Sequence, residues 1–246
     1  MKKYIGCSGF HYKDWEGKFY PAAIDKKAWL HYYAHHFNSV EINNTFYKIP
    51  DKNTLKEWMH QTPGEFRFSV KASRYITHMK KLKDTKTHIE KFYSSIDPLS
   101  KKLGAVLWQL PANLHRDDKK IETFCKDIDN SFLNVIEFRH SSWFDEEIYS
   151  LLASYGIPVC SLSAPDKLPE FLEHKSGKIY LRFHGKEEWY NYHYSNKELE
   201  KWKEKIERSG AELVYVYFNN DYNAYAVENC SRIKTMLAEK TGITPV

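Results

Sequence analysis

The chain has 246 residues, enough to bury a substantial core and an ordinary length for one α/β barrel. Hydrophobic residues make up 42% and charged residues 28%, which excludes a disordered chain. The net charge of +5 permits an anionic ligand but is too small to argue by itself for nucleic-acid binding, and no run is long and apolar enough to span a bilayer.

The first strand is expected at Lys3–Ser8, followed by Asp25 as a helix N-cap. A second strand, Ser39–Asn43, precedes a helix capped by Asp51, and Pro63 separates that helix from a third strand at Phe66–Lys71. Asp84 stands as the next cap, and Ile89, Phe92, Ile96, Leu99 and Leu103 share one helical face. Gly104–Leu110 reads as a strand, and Asp117 caps a helix whose Ile121, Phe124, Cys125 and Ile128 face one way. Then come Leu133–Arg139, a cap at Asp145, a stop at Gly156 and Pro158, and a strand at Ile157–Leu162. The connection over 166–174 is the weakest helix of the series. Lys178–His184, a helix opened by Ser195 and carrying Leu199, Trp202 and Ile206, Gly210, and Glu212–Asn219 complete the pattern.

Eight strand–helix alternations imply a parallel sheet closed into a (β/α)8 TIM barrel, one domain over residues 1–246. An open doubly wound sheet is the alternative, but no glycine-rich phosphate loop follows the first strand. The start Met1-Lys2-Lys3-Tyr4-Ile5-Gly6 lacks the apolar core of a signal peptide. Cys7, Cys125, Cys160 and Cys230 lack CxxC spacing, so buried free thiols in a cytoplasmic protein are expected.

Strands of a parallel barrel are covered on both faces and should be almost continuously apolar. These alternate instead: Val40 and Ile42 against Glu41 and Asn43, Phe68 and Val70 against Arg67, Ser69 and Lys71, Ile136 and Phe138 against Glu137 and Arg139. Ile179, Leu181 and Phe183 likewise oppose Tyr180, Arg182 and His184, and Val214, Val216 and Phe218 oppose Tyr215, Tyr217 and Asn219. The apolar set belongs against the helices, which turns Glu41, Arg67, Lys71, Glu137, Arg139, Arg182 and His184 inward, with Gln109 beside them. Four cations against two carboxylates leave a surplus of two positive charges. A buried charge is costly unless paired, so the surplus invites an anion; a purely structural ion-pair lattice is the plainer reading.

Aromatic and hydrogen-bonding residues cluster at the strand ends: Ser8-Gly9-Phe10-His11-Tyr12 with Trp15, Glu41-Ile42-Asn43-Asn44-Thr45-Phe46-Tyr47, and Lys71 with Arg74, Thr77 and His78. Gln109-Leu110-Pro111, Glu137-Phe138-Arg139-His140 with Trp143, Arg182-Phe183-His184-Gly185 with Trp189, and Asn219-Asn220-Asp221 follow. Together, in this order, they closely resemble the YecE-like family, a domain of unknown function (family seventy-two). One departure is Phe10, where the family's first motif carries tryptophan. The resemblance implies a TIM barrel with a shared polar pocket at its mouth and no established reaction.

The leading expectation is an enzyme, of hydrolase or lyase/isomerase type, acting on a phosphorylated or otherwise anionic ligand such as a nucleotide or sugar phosphate. Lys71, Arg139 and Arg182 would hold the anion, and Glu137, Glu41 and His184 would move protons. Asn43, Gln109, Asn219 and Asp221 are candidate polar contacts; Tyr12, Trp15, Tyr47, His78, Trp143 and Trp189 are candidate ring contacts. One alternative is a glycoside-processing enzyme built on Glu41 and Glu137; another is a protein that binds single-stranded nucleic acid or a metabolite without chemistry. No cofactor is expected, although His78, His140 and His184 leave a divalent metal open in the absence of an HExxH or CxxC pattern.

Overall fold

The computed structural model describes residues 1–165 and 168–238. Its strands are β1 (Lys2–Ser8), β2 (Ser39–Ile42), β3 (Arg67–Lys71), β4 (Leu103–Gln109), β5 (Asn134–Glu137), β6 (Ser161–Ser163), β7 (Lys178–Phe183) and β8 (Leu213–Phe218). All the ladders are parallel, in the order β5-β4-β3-β2-β1-β8-β7-β6. The two ends of that order meet through Ile136, whose N–H donates to Pro158 O at 3.2 Å and whose carbonyl accepts from Cys160 N–H at 2.7 Å. Pro158 has no N–H to return, so the seam is an isolated bridge between Ile136 and Val159 and β6 begins only at Ser161. The result is the expected (β/α)8 barrel.

Around it lie α1 (Trp29–His36), α2 (Lys52–Gln61), α3 (Lys86–Ile96), α4 (Asp118–Asp127), α5 (Glu146–Ser154), α6 (Asn196–Arg208) and α7 (Tyr225–Ala238). Asp51, Asp117 and Asp145 cap α2, α4 and α5 through backbone N–H groups, Asp25 caps a short turn before α1, and Ser195 forms a capping box with Glu198. Asp84 does not cap α3: Thr85 takes that position, and Asp84 has φ +50. α3 also stops at Ile96, because Pro98 follows, and Leu103 belongs to β4. The helix expected over 166–174 is not found in 168–174, and residues 166–167 lie outside the described residues. Among the described residues no helix is long and apolar enough to cross a membrane, and all four cysteines are buried free thiols.

The strand alternation sorts into two cores, as expected. Ile5, Val40, Ile42, Phe68, Val70, Trp108, Ile136, Phe183 and Val216 pack outward against the helices. Tyr4, Ala105, Leu107, Val135, Cys160, Leu162, Tyr180, Tyr215 and Tyr217 fill the barrel itself. Tyr4 stacks on Tyr215 at 4.9 Å, and the Tyr217 hydroxyl meets Ser39 and Ser69, so the lower barrel is closed by aromatic rings. The polar inner residues above this plug define the mouth.

One close approach sets the β1–β2 geometry. A Cβ on Gly6 would lie 1.9 Å from Ser39 O and 2.8 Å from the Tyr33 hydroxyl. Gly6→Ala must therefore push two paired strands apart, and a loss at or beyond the upper end of the about 1–3 kcal/mol typical of overpacking is expected. Urea denaturation of the variant measures it; a change under about 0.5 kcal/mol would show that the strands can part freely.

Candidate functional site

β2, β5 and β7 bring their inward polar residues to one level because side chains on a strand alternate faces and the three strands share parity there. Arg182 is the hub. Its Nε and Nη2 donate to Glu41 Oε1 at 3.1 and 2.7 Å, and its Nη1 donates to Glu137 Oε2 at 2.6 Å. Glu41 also accepts from Ser8 Oγ at 2.7 Å and from the Tyr180 hydroxyl at 2.6 Å, while Glu137 accepts from Arg139 Nε. Glu41 and Glu137 are fully buried and Arg182 is 1% exposed. Burial alone would push the Glu137 carboxyl up, but Arg139 and Arg182 overcome it and hold the group well below the usual carboxylate range. For Arg182 burial opposes the charge, and Glu137 and Glu41 more than restore it.

His184 is buried beside this lattice. Burial, Arg182 and Arg139 push its pKa well below the ordinary histidine value, so the ring is neutral. Arg139 Nη2 lies 3.2 Å from Nε2, and arginine only donates, so Nε2 accepts and the proton sits on Nδ1. Nδ1 is 2.9 Å from the side-chain amide of Asn219, which must present its oxygen to that proton. His184 thus serves to orient Arg139, whose guanidinium also lies 4.5 Å from the Trp189 ring.

Lys71, at the end of β3, differs from its neighbours. It is half-buried and makes no ion pair or side-chain hydrogen bond among the described residues; its ammonium sits 4.2 Å from the Phe46 ring. Burial, with the charge of Arg182, pulls its pKa down from the ordinary value to about 8, against the pull of Glu137 and Glu41. Arg67, also expected inside, does not reach this level. It begins β3 at the opposite end, donates to Gly64 O and Phe66 O, and covers the Tyr4 ring. Without it the mouth holds Lys71, Arg139 and Arg182 against Glu41 and Glu137, and the surplus falls to one positive charge. Since Arg182 and Arg139 are paired, that surplus resides on Lys71.

The remaining candidates divide. Among the described residues, Gln109, which ends β4 opposite Glu137, is half-buried with no hydrogen bond from its side chain, and Asn43, which follows β2, has its Oδ1 buried and unpartnered. Tyr12 donates to Ser8 O at 2.5 Å, and burial with Asp221 nearby raises its pKa well above the ordinary tyrosine value. Burial pushes the Asp221 carboxyl up to about 6. His78 contacts Thr77 Oγ1 at 2.9 Å, and burial with Lys71 and Arg74 lowers it to about 4, so it too is neutral. Tyr47 is exposed, with Arg74 over its ring.

Trp15 and Trp143 are not brought to the mouth. Both are fully buried: Trp15 donates to Asp221 O at 3.3 Å, and Trp143 stacks on Phe138 at 4.8 Å while donating to Leu114 O at 2.7 Å. They support the loops. Of the histidines weighed for a metal, His140 stacks on His115 at 3.9 Å and contacts Ser142, so His78, His140 and His184 have separate partners. Among the described residues no group of three or more His, Cys, Asp or Glu could hold a metal ion. Sequence reasoning missed Tyr180 as a partner of Glu41 and Phe46 as the seat of Lys71; inward parity could have found the first, and nothing local marks the second.

A family model described as "Protein of unknown function DUF72" matches residues 4–245. The UPF0759 protein YunF of Bacillus subtilis is 28% identical over 98% of this chain and 97% of its own length. The UPF0759 protein YecE of Escherichia coli is 32% identical over 47% of this chain and 43% of its own. A crystal structure of a DUF72 family protein from Thermotoga maritima superposes with a TM-score of 0.87 at 32% identity, covering 97% of this chain and all of that one. A DUF72 family protein from Enterococcus faecalis, 23% identical with a TM-score of 0.80, has the same fold.

Proposed function

The chain belongs to the DUF72 family, described as proteins of unknown function, and on that footing we propose that its barrel mouth takes a phosphorylated or otherwise anionic small molecule, as the substrate of an enzyme. One observation carries the reading: the half-buried Lys71 ammonium has no counter-ion among the described residues, although two carboxylates stand in the same barrel. Those carboxylates are committed to Arg182 and Arg139, so an incoming anion is the partner that balances the site. Arg139, 12% exposed and held by Glu137, His184 and Trp189, supplies a second, pre-oriented donor.

The buried lattice lies beneath the ligand in this reading. Glu41, Glu137 and His184 position Arg139 and Arg182 and shape the field at the mouth. Proton transfer falls to groups at the rim: Lys71, near 8, and Asp221, near 6, both titrate close to neutral pH. A glycosidase pair of Glu41 and Glu137 is disfavoured, because the Arg182 guanidinium bridges the two carboxylates where a sugar would stand.

Sulfate, which keeps its charge across the useful range, is the test anion. Lys71 is faced by Arg182 from β7, Glu137 from the end of β5, Arg139 just beyond it, Glu41 from β2, and by His78, and burial brings its own pKa to about 8. If the ammonium binds the anion, affinity is constant between about pH 7, above the Asp221 transition, and about pH 8, and falls up to about tenfold per pH unit above it. Calorimetric titration over that range checks this, and a profile flat through about pH 10 would remove Lys71 from the site.

A further inference from the structure

The net charge of +5 is small, but it is not spread evenly along the chain. The segment that leads from β3 into α3 carries Arg74, Lys80, Lys81, Lys83 and Lys86 against one carboxylate, Asp84. Lys83 and Lys86 are exposed and Lys80 and Lys81 half-buried. None of these four lysines has an ion pair or side-chain hydrogen bond among the described residues. Like charges gathered in this way repel one another and draw a polyanion.

The backbone bears a cost here as well. Lys81 and Leu82 have φ +49 and +65, the left-handed region that a bulky residue such as leucine rarely enters. Lys80 N–H donates to Tyr75 O at 2.9 Å, Leu82 N–H donates to Ile76 O at 3.2 Å, and Leu82 is buried, which pins the turn.

Aromatic rings accompany the cations. Tyr47 is 73% exposed, with the Arg74 guanidinium 5.7 Å from its ring centroid, and Tyr75 is 40% exposed, with its ring 4.8 Å from that of His88. Phe46 ties this ridge to the mouth. Its ring lies 5.0 Å from Tyr47, 4.8 Å from His78 and 4.2 Å from the Lys71 ammonium. The loop after β7 is different: Glu187 and Glu188 are exposed there, and Lys186 is paired with Glu170 and Glu198.

Phosphates suit the cations, and bases with open faces suit the rings. A duplex closes its base faces within its own stack. An anionic bilayer calls for a wider apolar face than Tyr47, Tyr75 and Met79, the exposed large apolar side chains of this ridge among the described residues. We infer that the ridge binds single-stranded nucleic acid, with phosphates along Arg74 and the four lysines and a base stacked on Tyr47. The inference goes beyond the small-anion reading and does not rest on it, because Lys71 has no part in it.

The experiment is fluorescence anisotropy of labelled oligothymidylate and oligouridylate, each of about 15 nucleotides, titrated with the full chain. Saturable binding of at least one is expected, at least about tenfold tighter than a duplex of that length or polyglutamate, which offers charge without bases. Tyr47→Ala, at an exposed side chain, should weaken it about tenfold. Lys83→Ala with Lys86→Ala should lower the slope of log affinity against log salt by about 1.4. Binding of neither oligonucleotide, equal binding of polyglutamate, or a Tyr47→Ala protein that binds as the parent does overturns the inference. So does capture by phosphatidylserine vesicles of a protein that the oligonucleotides do not bind. Sulfate titrated into the same protein separates the two readings: oligonucleotide without sulfate binding keeps the ridge and removes the small anion, and the converse removes the ridge.

Discussion

Replacing Arg182 by methionine is expected to destabilise the protein by at least about 3–5 kcal/mol, the loss typical when one partner of a buried ion pair is removed. Arg182 is shared by Glu41 and Glu137, so its loss exposes two fully buried carboxylates to the same deficit. They are not equally affected. Glu137 keeps Arg139, whereas among the described residues Glu41 keeps only the hydroxyls of Ser8 and Tyr180. A neutral partner should therefore repair the damage selectively: Arg182→Met combined with Glu41→Gln should recover more stability than Arg182→Met combined with Glu137→Gln. Urea denaturation of the parent, the single variants and the two double variants closes the cycle. An Arg182→Met protein within about 1 kcal/mol of the parent would mean that the lattice is not what holds the barrel interior together.

Lys71→Met should behave in the opposite way, although Lys71 stands in the same mouth. It strands no carboxylate, because none is paired with it among the described residues, and methionine can still cover the Phe46 ring. The sign of its pH effect follows from the lowered pKa. The fold disfavours the charged ammonium, so the parent carries that cost fully below about pH 8 and sheds it as pH rises from there toward the unfolded value of 10.5. At neutral pH the variant should therefore be as stable as the parent or more so, with the advantage shrinking in alkali. Anion affinity should fall about 10- to 100-fold, the worth of one charge-assisted contact. Sulfate calorimetry and denaturation on the same preparations give both readouts. A destabilised variant, or one that binds sulfate as the parent does, contradicts the assignment of Lys71 as the open cation.

The two predictions differ because parity tells which residues face inward but not how far along the axis each one lies. Arg67, Lys71, Arg139 and Arg182 all carry inward parity, and from sequence they counted alike. In the barrel Arg67 sits beneath the tyrosine plug and donates to backbone carbonyls, Arg182 is neutralised from two sides, and at the mouth Lys71 is left without an anion among the described residues. The aromatic candidates divided for a similar reason. Trp15, Trp143 and Trp189 all follow strand ends, but only Trp189 lies over a cation of the mouth, while the other two direct their indole N–H groups into loop carbonyls.

The sequence by itself determined the barrel, the strand order along the chain, the caps at Asp51, Asp117, Asp145 and Ser195, and the inward turn of Glu41, Glu137, Arg182 and His184. These are local consequences: hydrophobic period, cap chemistry and strand alternation act over a few residues and need no partner from elsewhere in the chain. Only the tertiary structure decided which charge is paired with which, that Tyr180 completes Glu41, that Phe46 seats Lys71, and that Arg74 of the loop after β3 covers the Tyr47 ring. Those are contacts between residues far apart in sequence, set by strand register and barrel closure. An ion pair is decided by distances of a few ångströms, and no spacing along the chain records them.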